Sequence, residues 1–205
     1  MTNSHIKAII FDYGNVLIEW DPRYVYSRYF PDNPEAMERF FKEVDFMGWN
    51  AHQDKGRTFK EGVADLSSRF PHYSHLIQAY HDHWKDSIGI AYTDTVEIMK
   101  QLKQKGYPLY GLSNWSAETF PYAQKKFDFF HLLDDMVISG EVGHVKPEPE
   151  IFQIMLNKIG RPAQECLFID DSLANIQQAQ KMGFQTIHFE SAEQLRITLH
   201  DLEIL

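Results

Sequence analysis

Four short apolar runs in the chain stop abruptly at polar residues. Residues 8–11 (AIIF) end at Asp12, and 109–112 at Ser113 and Asn114. Residues 136–138 end at Ser139 and Gly140, and 166–169 at Asp170 and Asp171. A fifth run covers 186–189. Runs this short, rich in Ile, Leu, Val and aromatics, predict strands buried on both faces. From residue 93 onward they alternate with segments of helical spacing. Val96, Met99 and Leu102 predict a helix over 94–105 that stops at Gly106, with Asp94 and Glu97 as a capping box. Ile151, Ile154, Met155 and Ile159 predict a second over 148–159, ending at Gly160. A third is expected over 172–182, and Ser191 with Gln194 opens the last. Strand–helix alternation of this kind predicts an α/β fold with a parallel sheet and right-handed crossovers.

Residues 19–90 break the alternation. They read as helical throughout, without a strand run, and Pro22, Pro31, Pro34 and Pro71 punctuate them. The stretch is too long for a simple crossover. It predicts an all-helical cap over 19–90, inserted into a core made of 1–18 and 91–205.

Composition narrows the class of partner. Hydrophobic residues make up 43% of the 205 and aromatics 14%, enough for a sizeable core. Lys and Arg total 20 against 29 Asp and Glu, a net charge of −9. An acidic chain gains nothing from a nucleic-acid backbone, whereas a bound cation can reverse the sign locally for a small phosphorylated ligand. The single cysteine, Cys166, excludes an intrachain disulfide and reads as a small buried hydrophobe. The N-terminal segment is broken by charge and glycine too early for a signal peptide, and no apolar run approaches a membrane span. A cytoplasmic protein without membrane or nucleic-acid partners is expected, monomeric or, through exposed cap aromatics, a homodimer.

In an open parallel sheet, ligands bind beyond the carboxyl ends of the strands. The residues closing the first, second and fourth runs are Asp12, Ser113, Asn114, Asp170 and Asp171. Three carboxylates gathered at one edge repel each other, and a hard cation with oxygen ligands removes that conflict. Lys146, extended by the following Pro147, is placed to complete a phosphate site.

The ordered set FDYGNVL, LSN, KPEP and FIDDSLAN resembles the haloacid dehalogenase (HAD) superfamily over the whole chain. The resemblance implies a three-layer Rossmann-like core with a helical cap, and a hydrolase of the phosphatase branch. It implies Asp12 as the nucleophile that forms an aspartyl-phosphate. It implies Mg²⁺ held by Asp12, the Gly14 carbonyl, Asp170 and Asp171. Ser113, Asn114 and Lys146 are implied as binders of the phosphoryl oxygens.

One position departs from that pattern. Phosphatases of the superfamily usually carry a second Asp two residues after the nucleophile, where this chain has Gly14. A water or a cap histidine, His52, is the expected replacement for its proton transfer, and a good leaving group such as an anomeric sugar phosphate would lessen the need. The alternatives are a metal-free 2-haloacid dehalogenase acting through Asp12 and a non-catalytic binding module. A phosphomutase needs the missing acid more. Tyr13 stands one residue away from the dehalogenase tyrosine position, and the pair Asp170–Asp171 argues for metal. Trp115 is expected at the pocket mouth or beneath it, and Asn175 beside the acidic pair or in solvent. Trp49, Asp54 and Arg57 near Gly56 read as helix-end packing or as substrate contacts. His72, His75, His81 and His83 read as surface residues.

Overall fold

The computed structural model describes residues 5–205; residues 1–4, the start of the segment set apart from a signal peptide, lie outside the described residues. In chain order, β1 (Ala8–Phe11) and β2 (Ile18–Trp20) come first. Five helices follow: α1 (Arg23–Tyr26), α2 (Pro34–Glu43), α3 (Phe46–Asp54), α4 (Phe59–Arg69) and α5 (Ser74–His83). β3 (Ile88–Ala91) then leads into α6 (Thr93–Gln104), β4 (Leu109–Ser113), α7 (Phe120–Lys126), β5 (Asp135–Ile138) and α8 (Ser139–Val142). The chain closes with α9 (Pro149–Ile159), β6 (Cys166–Asp170), α10 (Leu173–Lys181), β7 (Gln185–His188) and α11 (Ala192–Asp201).

The expected α/β architecture is present. Five parallel strands form one sheet in the order β5-β4-β1-β6-β7. All four β1 side chains are buried, so the strand has no polar face. Ile9 and Phe11 join one hydrophobic cluster and Ala8 and Ile10 the other, which makes three layers. The chain moves outward through β4 and β5 and then returns to the far side of β1 as β6. That reversal opens a crevice at the carboxyl end of β1.

Two local expectations are corrected. Residues 19–90 are not wholly helical. Ile18–Trp20 and Ile88–Ala91 pair antiparallel, Ile18 against Ala91 and Trp20 against Ile88. Strands of three and four residues carry too little alternation to be seen, and their pairing is made by segments far apart in sequence. Asp94 and Glu97 form no capping box: α6 starts at Thr93, and Tyr92 at its N-cap makes no side-chain cap. The chain is instead committed by the Tyr92 amide, which donates to Leu17 O at 2.9 Å as β3 hands over to α6.

The inserted helices pack through aromatic rings. Tyr26 stacks on Tyr80 with centroids 6.2 Å apart, and Phe46 meets Tyr80 edge-on at 4.9 Å. Phe40, Trp49 and Phe59 are buried around them. Tyr24 and Tyr29 are the large exposed aromatics of this part among the described residues, so most of the aromatics expected at a dimer surface are spent on internal packing. The turn between α3 and α4 passes through Gly56 at φ +109°, where a side chain is strained. α4 then opens with a Thr58–Glu61 capping box. This turn rests on the sheet's edge: Ser139 Oγ donates to the Asp54 carbonyl, and the Phe59 amide donates to Glu118 Oε2 at 2.8 Å. No described helix is long and apolar enough to cross a membrane.

Candidate active site

Strand register brings the carboxylates together. Phe11 lies opposite Gly111 on one side and Ile169 on the other. The next residues, Asp12 and Asp170, therefore leave the sheet level with each other, and Ser113 follows one residue beyond. The Asp12 amide donates to Ile169 O at 2.9 Å, which fixes that level. Asp12, Asp170 and Asp171 offer carboxylate oxygens that all lie within 4.8 Å of one another.

Lys146 reaches into this cluster and is 4% exposed. Its ammonium lies 2.8 Å from Asp12 Oδ1 and 2.7 Å from Asp170 Oδ2. Burial alone lowers a lysine's affinity for its proton, but the two carboxylates outweigh it and raise the Lys146 pKa. Burial also pushes Asp12 up to about 7; Lys146 pulls it back and Asp170 adds to the rise. Asp171 is raised as well, by burial first and Asp170 second. One ammonium among three carboxylates leaves negative charge to balance. The donors are hard oxygens, so the set fits a divalent cation such as Mg²⁺.

Two asparagines hold these groups in place. Asn114 does not face the cleft with its amide alone: Nδ2 donates to Lys146 O at 2.9 Å and Oδ1 accepts from Lys146 N at 2.7 Å. It ties the Lys146 backbone to the end of β4. Asn175 faces Asp170 and not solvent, donating to Oδ1 at 3.0 Å and Oδ2 at 3.1 Å. The Ser172 amide adds a third donor to Asp170 at 2.8 Å.

A small cleft of about 120 Å³ lies over the cluster. Asp12, Gly14, Ser113, Asn114 and Lys146 line its floor. Trp115 lines it too, and packs edge-on against Trp84 and Phe120. Tyr13 points away into the core. It stacks on Phe120 at 6.0 Å, and a Cβ on Gly111 would lie 1.7 Å from its hydroxyl. Gly111 is therefore required by the Tyr13 ring, and Tyr13 is no part of the site.

The far wall comes from the helical insertion, and here His52 is corrected. His52 is exposed and is not among the cleft residues. Asn50 and Asp54, each two residues away on α3, line the cleft instead, with Trp20 and Trp84. Positions four apart share a helix face, and the residue midway between them turns elsewhere. That spacing was the available signal for Asn50 and Asp54. Asn50 Nδ2 donates to Asp54 Oδ2 at 3.0 Å. Burial pushes the Asp54 carboxyl up to about 7, against the stabilising donation of the Ser116 amide. Cys166 is buried with its thiol pushed up to about 11, chiefly by burial, which removes it as a nucleophile. His72, His75 and His81 are exposed, as expected.

The comparisons with known proteins agree with this geometry. A family model of haloacid dehalogenase-like hydrolases matches residues 6–183. D-ribitol-5-phosphate phosphatase of Bacteroides thetaiotaomicron is 23% identical over 93% of this chain and 95% of its own length. Drimenol cyclase drtB of Aspergillus calidoustus is 23% identical over 96% of the chain, which spans 36% of that protein. (S)-2-haloacid dehalogenase 4A of Burkholderia cepacia is 28% identical over 65% of the chain and 55% of its own length. A magnesium complex of a HAD family enzyme from Bacteroides thetaiotaomicron superposes with a TM-score of 0.70 at 24% identity, covering 91% of this chain and 94% of that one. With the fold, the sheet-edge carboxylates and the family match in agreement, this chain belongs to the haloacid dehalogenase-like hydrolases.

Proposed function

We propose that the enzyme hydrolyses the phosphoester of a small organic molecule, with Asp12 as nucleophile and Mg²⁺ as cofactor. The observation that carries this reading is the cluster of Asp12, Asp170 and Asp171 around Lys146. A site that only displaced halide from carbon has no use for Asp171, whose pKa is raised by burial first and by repulsion from Asp170 second. The relative named for phosphatase activity and the magnesium-bound neighbour support the same reading.

In this reading Asp12, Asp170, Asp171 and the Gly14 carbonyl hold the metal, which when bound offsets the charge between an anionic nucleophile and an anionic substrate. Lys146 and Ser113 bind the phosphoryl oxygens and stabilise charge as it develops there. Asn114 keeps Lys146 aimed at them. Asp12 attacks phosphorus and becomes an aspartyl-phosphate, which water then hydrolyses. The insertion acts as a cap over the leaving group, and a sugar or polyol phosphate suits its mixed polar and aromatic wall. The buried, lone Cys166 suits a reducing compartment, hence the cytoplasm.

A second reading, 2-haloacid dehalogenation through the same Asp12, is favoured by Gly14 and by the dehalogenase relative. Assays on phosphoesters and 2-haloacids, with magnesium and with EDTA, separate the two. Phosphate release abolished by EDTA and by Asp12→Asn is expected. Halide release indifferent to EDTA would overturn the phosphatase reading.

A further inference from the structure

The floor of the cleft lacks an acid. Gly14 stands where one is needed, and a Cβ built there meets nothing within 4 Å, so the space beside Gly14 at the cleft is open. The described histidines do not fill it, since none lines the cleft. Apart from Asp12 on the floor, the one carboxylate lining this cleft belongs to the opposite wall. Asp54 ends α3, and its backbone carbonyl is pinned to the core by Ser139 Oγ. Its carboxylate is held by Asn50 and faces the same cleft as Gly14 and Ser113.

We propose that Asp54, supplied by the helical insertion, is the general acid and base of the reaction, in place of the carboxylate that Gly14 does not provide. The proposal rests on the phosphatase reading above. As Asp12 forms its bond to phosphorus, the bond from phosphorus to the leaving oxygen breaks, and that oxygen takes the proton of the Asp54 carboxyl, directly or through one water. Asp54 is then a carboxylate. It accepts a proton from the water that attacks the aspartyl-phosphate. The bond between Asp12 and phosphorus breaks, inorganic phosphate leaves, and both carboxyl groups return to their starting states.

Three features favour this placement. Burial holds the Asp54 carboxyl near neutrality, where one group can both give and take a proton efficiently. Asn50 orients it without neutralising it, as the amide carries no charge. No lysine or arginine lines the cleft on that side to keep Asp54 permanently ionised; Lys146 is engaged by Asp12 and Asp170.

The test uses an alkyl phosphate, whose leaving alkoxide needs a proton, and an aryl phosphate such as p-nitrophenyl phosphate, which does not. Both are assayed with the full chain and magnesium. Asp54→Asn is expected to lower turnover of the alkyl ester about 10²-fold or more and of the aryl ester only a few fold. Gly14→Asp added to Asp54→Asn is expected to restore much of the alkyl activity, which a loss of folding or of substrate contact would not allow. Equal losses on both esters without rescue, or no loss on either, would overturn the proposal while leaving the phosphatase reading intact. A wild-type enzyme inert on both esters overturns both. Should Asp54→Asn fail to fold, wild-type rates across a series of leaving groups decide. A shallow dependence on leaving-group basicity supports an acid in the site, and a steep one removes it.

Discussion

The sheet edge and the helical wall facing it are built on opposite principles. At the edge, four charged groups crowd together and are kept there by backbone register, by Asn114 and by Asn175. Across the cleft, one carboxyl stands in an aromatic setting of Trp20, Trp84 and Trp115, with one amide beside it. The edge concentrates charge and needs compensation. The wall isolates a charge and shifts its protonation. The phosphoester hydrolysis proposed above needs both environments, and here they come from different parts of the chain.

The largest effect should come from breaking the edge. Lys146→Met leaves Asp12 and Asp170 buried without their cation, and removing one partner of a buried pair costs about 3–5 kcal/mol. Urea unfolding in EDTA should show that loss, and added magnesium should recover part of it. Asn175→Ala leaves the fold but loosens Asp170. Changes in groups that orient metal ligands weaken metal binding about 10–100-fold, which titration calorimetry with Mg²⁺ would read.

The wall predicts a smaller effect with a definite sign. Folding raises the Asp54 pKa from its ordinary 3.8 to about 7. The folded state therefore holds the proton more tightly than the unfolded one, and this contribution is fully present below about 4. It is lost as pH rises through 7. Asp54→Asn removes that slope, so the variant should gain stability relative to wild type above pH 7. After allowance for solvent access the gain is on the order of 1 kcal/mol. Thermal melts at pH 4 and pH 8 check it; parallel shifts at both would contradict it. The seam between edge and wall predicts least. Lys55 and Glu148 pair across it, but their side chains are 45% and 31% exposed. Lys55→Ala should cost less than about 0.5 kcal/mol in the same melts.

The two regions also differ in how well the sequence announces them. The central strands β1 and β6 are buried on both faces and β4 nearly so, so their apolar runs stop sharply where the chain leaves the core. Asp12, Ser113, Asp170 and Asp171 stand at or beside those stops. In the insertion, polar residues on the solvent side and on the cleft side look alike. His52, exposed, and Asp54, facing the cleft, differ only in which way α3 is turned. The β2–β3 ribbon escaped notice because each strand is too short to carry a pattern before its partner is known.

By itself the sequence determined the parallel α/β core, the acidic set at the carboxyl edge and the absence of an acid at Gly14. Those follow from periodicity and from motif order, which are local. Only the tertiary structure decided that Lys146 bridges Asp12 and Asp170, that Asn114 serves Lys146, that Tyr13 belongs to the core, and that Asp54 lines the same cleft as Gly14. Each depends on the distance between segments remote in the chain, which strand register and helix rotation set and no local pattern encodes.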